Sequence, residues 1–272
     1  MHHVRQGKGR PLLLVHGLGG SHGSWETITS KLAGEREVIA VDLPGFGATP
    51  PLPGSPSIAA MADVLEGFLD EQGLDGVDVV GSSMGARLAL ELARRGLVGA
   101  TVALDPGGFW TSREQRVFGL SIKVSVRLVR ALSPLLPLLT GNPVTRTLLL
   151  SQFTAAPWRL DGDVALRELR RFLASPSFDG ALHELAHGPL QGGMPAGTAR
   201  GPIVIGWGRR DLVTLPRQAP RAARLFPDAE LVWFERSGHF PHWDAADETV
   251  QTILAATRTP TSTIAAPVPA PG

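Results

Sequence analysis

The stretch Val77–Arg95, VDVVGSSMGARLALELARR, decides the fold. It opens on an apolar run rich in valine that stops at Gly81-Ser82-Ser83-Met84-Gly85. Beyond that point the apolar spacing becomes helical, with Leu88 and Leu92, and Ala89 and Ala93, recurring at i and i+4. The stretch therefore predicts strand, sharp turn, helix. Gly81 and Gly85 set the turn in the pattern G-x-S-x-G, whose central serine occupies a strained position that only small neighbours permit, so that its hydroxyl projects from a strand end. Ser83 is thus the candidate nucleophile, while Ser82 falls at the variable position. Loops with two glycines and a serine also arise by chance. The strand before and the helix after are what separate this one from an ordinary loop.

Working outward, a length of 272 residues suits one large domain or two small ones. A hydrophobic content of 43% with 19% charged residues describes a globular chain with a sizeable core. Lys+Arg 26 against Asp+Glu 25 leaves a net charge of +1, so no global field recruits nucleic acid or an anionic membrane. The absence of cysteine excludes disulfides, a thiol nucleophile and cysteine metal sites. The N-terminal MHHVRQGKGR carries no apolar segment of a signal peptide, and no apolar run reaches the roughly 18 residues of a spanning helix. A soluble, cytoplasmic protein is expected. Abundant arginine, few lysines and many alanines suggest a GC-rich bacterial source.

Pro11–His16 is a short apolar run bounded by glycines, as expected of a strand covered on both faces. Gly17-Leu18-Gly19-Gly20-Ser21 follows, then a helical stretch through Trp25, Ile28 and Leu32. Glu37–Val41 predicts the next strand, running into the turn Asp42-Leu43-Pro44-Gly45-Phe46-Gly47, and Ile58–Leu69 an amphipathic helix ended near Gly73. Val98–Leu104 predicts a buried strand ending at Asp105. Strands alternating with helices imply a parallel sheet layered by helices.

The alternation lapses over residues 109–195, where helical patterns (Ile122, Val126, Val129; then Leu166, Leu169, Phe172, Leu173) are cut by prolines at 134, 137, 143 and 157. An all-helical insertion in an α/β chain is expected to cap the strand ends, where ligands of open sheets bind. Its leucine-rich part, Leu128–Leu139, is expected to pack over an apolar pocket rather than touch a membrane. The sheet resumes at Pro202–Gly206, followed by Trp207-Gly208-Arg209-Arg210-Asp211, and a last strand, Glu230–Phe234, ends at Arg236-Ser237-Gly238-His239-Phe240. A helix over 245–256 closes the fold. The organisation read here is a core of residues 1–108 and 196–257, a helical cap at 109–195, and a disordered tail at 258–272 rich in proline and small residues.

Taken in order, HGLGG at 16–20, DLPGFG at 42–47, GSSMG at 81–85, WGRRD at 207–211 and SGHF at 237–240 resemble the α/β-hydrolase fold superfamily, in particular its lidded, esterase- and lipase-like serine hydrolases. The resemblance covers nearly the whole chain except the cap and tail. It implies a mostly parallel sheet layered by helices, with the cap inserted after the sixth family strand. One departure is visible: the family begins with an antiparallel strand pair, and here there is room for one short strand near His3–Arg5.

A serine hydroxyl needs an adjacent base, itself oriented by a third group. The family order of serine, acid and histidine is met by Ser83, Asp211 and His239. His239 would take the Ser83 proton, and Asp211 would hold the imidazole tautomer. Asp105 is a rival acid, because some members carry it one strand earlier. Asp42 is read as structural, capping backbone amides in its turn, and His16 as bracing the turn after its strand. His242 is read as pointing into the closing helix, with His22, His183 and His187 solvated or supporting. The resemblance assigns the oxyanion donors to the backbone N–H groups of Leu18 and Met84, with Gly19 as the fallback. Trp25, Phe109, Trp110 and Trp158 are candidates to line an apolar substrate pocket.

The reading that results is hydrolysis of a carboxylic ester, lactone or thioester with an apolar acyl part, without cofactor or metal. The alternatives are hydrolysis of a carbon–carbon bond in a β-diketone-like product of aromatic ring cleavage, and a non-catalytic small-molecule receptor on the same fold. Epoxide hydrolases and haloalkane dehalogenases place an aspartate where this chain has Ser83. Oligomeric state is left open.

Overall fold

The computed structural model describes residues 1–258, so the expected tail lies, from Thr259 onward, outside the described residues. Among those described, seven strands form one sheet: β1 (His3–Gln6), β2 (Pro11–Val15), β3 (Glu37–Val41), β4 (Asp78–Ser82), β5 (Thr101–Leu104), β6 (Ile203–Gly208) and β7 (Glu230–Phe234). Their order is β1-β3-β2-β4-β5-β6-β7, parallel except for β1, which pairs antiparallel with β3 from His3↔Val41 to Gln6↔Val38. β1 is the short edge strand that the sequence left room for.

In β2 the side chains Leu12 to Val15 are all fully buried. A strand buries every side chain only when both faces of its sheet are covered. Leu13 and Val15 pack with Ile39 and Val79 against Met61 and Leu65 of α2 (Ile58–Gln72) and Leu88 and Leu92 of α3 (Met84–Arg94). Leu12 and Leu14 face the other way, with Val80 and Val102, against Ile28 and Leu32 of α1 (Glu26–Leu32) and Val250 and Ile253 of α11 (Ala246–Ala256). Each such leucine contributes about 1.5–3 kcal/mol by leaving water. Helix α2 starts where the Ser57 hydroxyl accepts the Ala60 N–H and stops at Gly73, in the left-handed region at φ +64°. β5 begins at Thr101 rather than Val98, and just ahead of it the Ala100 N–H donates to the Asp78 carboxylate.

Between β5 and β6 lie α4 (Ser112–Ala131), α5 (Leu136–Gly141), α6 (Pro143–Leu150), α7 (Gly162–Ala174) and α8 (Phe178–His187). The Thr111 hydroxyl and the Glu114 carboxylate form a reciprocal box at the start of α4, and Ile122, Val126 and Val129 are its buried face. The leucine-rich part departs from expectation. Leu136 is buried, but Leu128, Leu135 and Leu138 are exposed. The packing side of α4 is already filled by Ile122, Val126 and Val129, and Leu128 points away from that face. α9 (Ala219–Leu225) and the single turn α10 (Pro241–Asp244) complete the chain before α11.

Candidate active site

Every chemically pointed residue of the sequence falls just past the carboxyl end of a parallel strand: Leu18 after β2, Asp42 after β3, Ser83 after β4, Asp105 after β5, Asp211 after β6 and His239 after β7. Parallel register brings these ends to one edge of the sheet.

Ser83 has φ +56° and ψ −112°, a backbone state that side-chain-bearing residues rarely occupy. Its flanking glycines explain how it is held. A β-carbon on Gly81 would lie 2.1 Å from the Gly85 carbonyl oxygen, and one on Gly85 would lie 2.0 Å from the Val15 carbonyl oxygen. β4 and α3 therefore approach each other, and β2, more closely than any larger residue allows. The turn is fastened by the Ser83 N–H donating to the Leu104 carbonyl at 2.9 Å.

The His239 imidazole lies between two partners, with Nε2 2.9 Å from Ser83 Oγ and Nδ1 2.8 Å from Asp211 Oδ2. His239 and Asp211 are both buried. Four donors converge on the Asp211 carboxylate: the Val213 N–H at 2.7 Å and the Thr214 N–H at 3.1 Å on Oδ1, and the Thr214 hydroxyl at 2.7 Å and His239 on Oδ2. This cage aims the carboxylate at Nδ1, so the imidazole presents its other nitrogen to Ser83. Asp105 makes no hydrogen bond to His239. It is fully buried, its Oδ1 accepts the Gly208 N–H at 2.8 Å, and its Oδ2 has no partner. Burial first, and then the Asp211 charge, push its carboxyl well above the usual range. Of the two rival acids, then, Asp211 is the one in contact with His239, and Asp105 stands behind it.

His16 is fully buried, with Nδ1 donating to the Gly17 carbonyl at 2.7 Å and Nε2 accepting the Leu43 N–H at 3.0 Å. Burial lowers its pKa to about 4, so the ring is a neutral brace between the turns after β2 and β3. Asp42 accepts the backbone N–H groups of His22 at 2.6 Å and Ala48 at 2.9 Å. It also takes the imidazoles of His2 and His22 at 2.8 and 2.9 Å. His183 and His187 are exposed and stack on each other, and His242 is buried against Trp25. Met84 opens α3, so its N–H has no intrahelical acceptor, and among the described residues the Leu18 N–H makes no backbone hydrogen bond. Gly17 closes the approach: a β-carbon there would lie 3.1 Å from Ser83 Cβ.

Two cavities flank this set. The smaller is lined by Gly17, Leu18, Ser82, Trp25 and His242, and the larger by Val126, Val129, Leu150, Phe153 and Leu169; both share Glu168, Phe172, Phe240 and Trp243. Of the four aromatic candidates, Trp25 lines the smaller cavity. The other three do not reach either. Phe109 packs on Trp207 and Phe226, Trp110 stacks on Phe118, and Trp158 is 51% exposed on the outer surface. Phe109 and Trp110 lie in the segment between β5 and α4, where they fill core under the insertion. Trp158 sits in a proline-started turn at Pro157–Arg159 that carries it outward.

The sequence reading missed three residues. Thr214 holds Asp211 from one side. Asp244 accepts the Gly238 N–H at 2.8 Å and the Ala155 N–H at 2.9 Å, tying the loop of His239 to the helical insertion. Glu168 is the buried carboxylate between the cavities, bonded to the Ser24 hydroxyl at 2.9 Å and to Arg171. All three partnerships join residues far apart in the chain or polar residues of common type, and no local pattern marks them.

A mostly parallel sheet clad in helices, with a hydrogen-bonded serine, histidine and aspartate on three strand-end loops, defines the α/β-hydrolase class. The chain belongs to the alpha/beta hydrolase family, whose model matches residues 12–252. It is 30% identical over 254 residues to the dihydrolipoyllysine-residue acetyltransferase component of the acetoin cleaving system of Pseudomonas putida, covering 91% of this chain and 63% of that protein's length. It is 27% identical over 253 residues to a 2-hydroxy-6-oxononadienedioate/2-hydroxy-6-oxononatrienedioate hydrolase of Dechloromonas aromatica, covering 89% and 85% of the two chains. Among solved structures, a thermophilic esterase from Thermogutta terrifontis superposes with a TM-score of 0.73 at 23% identity, covering 93% of this chain and 91% of that one. That likeness is one of fold.

Proposed function

We propose that this chain is a serine hydrolase that cleaves a carboxylic ester, lactone or thioester with an apolar acyl part. The observation that carries the reading is the continuous contact Ser83–His239–Asp211, with the serine held in a strained backbone state at a strand end. His239 Nε2 takes the Ser83 proton as Oγ attacks the acyl carbon, and the imidazolium that forms is stabilised by Asp211. The Leu18 and Met84 N–H groups are the donors proposed for the developing oxyanion, each worth roughly 3 kcal/mol of barrier. The protonated His239 then returns its proton to the leaving alcohol or thiol. Water, deprotonated by the same nitrogen, releases the acid from Ser83. Helices α4–α8 act as the cap and form most of the acyl pocket.

A second reading, hydrolysis of a carbon–carbon bond, draws support from the relative in Dechloromonas aromatica, whose name describes a dioate substrate. The cavity lining supports the first reading. Among the described residues it includes no arginine or lysine, and its one carboxyl group is that of Glu168. Burying a substrate carboxylate there without a cation is costly, so the lining favours an uncharged acyl group. A receptor role is disfavoured because binding needs no Ser–His contact.

Intact-mass measurement after incubation with a fluorophosphonate tests the reading. One adduct on the wild type and none on Ser83→Ala is expected. A folded wild-type protein that stays unlabelled and turns over no ester would overturn it.

A further inference from the structure

Among the described residues, most of the large apolar side chains left exposed lie on the helical insertion. Val117, Leu120, Val124 and Leu128 of α4 are each more than half exposed, and Leu138 of α5 and Leu148 of α6 are 73% and 76% exposed. The α4 residues are spaced by three, four and four, so they form one stripe. At about 100° of turn per residue, that stripe lies on the side of the helix away from buried Phe118, Ile122 and Val126. Beside it runs a row of cations, Arg116, Lys123, Arg127 and Arg130, which edge a groove between α4 and α8. The acid in that groove, Asp179, is paired with Arg130 at 3.0 Å. Among the described residues Lys123 and Arg127 pair with no carboxylate.

A helix with an exposed apolar stripe next to a cationic row has the chemistry of a segment lying in the plane of an anionic lipid interface. The net charge of +1 conceals this, because the charge is segregated rather than absent. We propose that the outer face of the insertion docks on an anionic phospholipid surface, with Val117, Leu120, Val124 and Leu128 entering the acyl boundary and Arg116, Lys123 and Arg127 facing lipid phosphates. Antiparallel pairing of two copies through the same stripe would set the two cationic rows side by side. Lipid phosphates neutralise them instead. The docking is argued from this surface alone and does not depend on the hydrolase reading.

The test is sedimentation of the full chain with vesicles of phosphatidylcholine, alone or mixed with phosphatidylglycerol. Binding is expected on the mixed vesicles only, and raised salt is expected to weaken it. The variant R116Q/K123Q/R127Q should partition about 100-fold less, at about fivefold per cation. L120S/V124S should lose at least about tenfold. Both variants change exposed positions, so unchanged thermal unfolding checks that they fold. The proposal is overturned if mixed vesicles sediment none of the wild type, if neutral vesicles bind equally well, or if the charge variant binds like wild type. It is equally overturned if ultracentrifugation finds a dimer that L120S/V124S abolishes while vesicles bind nothing.

Discussion

Replacing Asp211 by asparagine tests the electrostatic core of the site with almost no change in shape. Oδ1 faces two backbone N–H groups that cannot rotate, those of Val213 and Thr214, so the asparagine carbonyl must take that position. Its NH₂ then occupies the place of Oδ2, facing the Thr214 hydroxyl and His239 Nδ1. The hydroxyl can turn to accept, but the imidazole can accept only by moving its proton to Nε2. That nitrogen lies 2.9 Å from Ser83 Oγ and would then donate to the serine instead of taking its proton. The expected loss in kcat/KM is about 10³–10⁴, equivalent to about 4–5.5 kcal/mol of barrier. The assay is hydrolysis of p-nitrophenyl butyrate, with the rate of fluorophosphonate labelling as a second readout. Asp105→Asn is the control. Burial and the Asp211 charge favour its neutral form, so the amide is a close replacement, and activity should stay within about tenfold of wild type. If Asp211→Asn kept more than a tenth of the activity while Asp105→Asn lost it, the roles assigned to the two acids would be reversed.

Asp105 also carries a pH signature. Its folded-state pKa is raised above the ordinary value of 3.8, so the folded chain keeps a proton that the unfolded chain has released. Stability therefore falls as pH rises from about 3.8 towards the folded value. The advantage of Asp105→Asn over wild type in Tm should grow as pH rises above about 3.8 in thermal unfolding scans; a constant or shrinking difference would refute this. Gly85→Ala should cost more than about 3 kcal/mol or abolish soluble expression, since its β-carbon meets the Val15 carbonyl at 2.0 Å. Gly67→Ala, within α2 and open to space, should instead raise stability by roughly 0.5–1 kcal/mol in denaturant titrations.

The elbow was legible because its physics is local. A valine run, two glycines four residues apart and a helical leucine repeat are all properties of neighbours in the chain, and they led directly to β4, the turn at Ser83 and α3. The same holds for β2, whose unbroken apolar run announced burial on both faces, and for β3 and β7, whose bounds agree with expectation. Aromatic residues were less legible. A tryptophan is apolar wherever it stands, and only packing separated Trp25 beside a cavity from Trp110 in the core and Trp158 in solvent.

What the sequence by itself determined is the order of strands and helices, the alpha/beta hydrolase family, and the short list of serine, acid and histidine positions at strand ends. Periodicity, turn chemistry and motif order are all encoded over short separations. What only the tertiary structure decided is which acid touches His239, that Thr214 and Asp244 hold the loops in place, and which face of α4 stays in solvent. The His239–Asp211 contact joins residues 28 apart and the Asp244–Ala155 contact residues 89 apart, while Thr214 reaches Asp211 from three residues away only in the turn that the folded loop adopts. No pattern along the chain specifies them, because hydrogen-bond geometry and burial are set only when the strands take their places in the sheet.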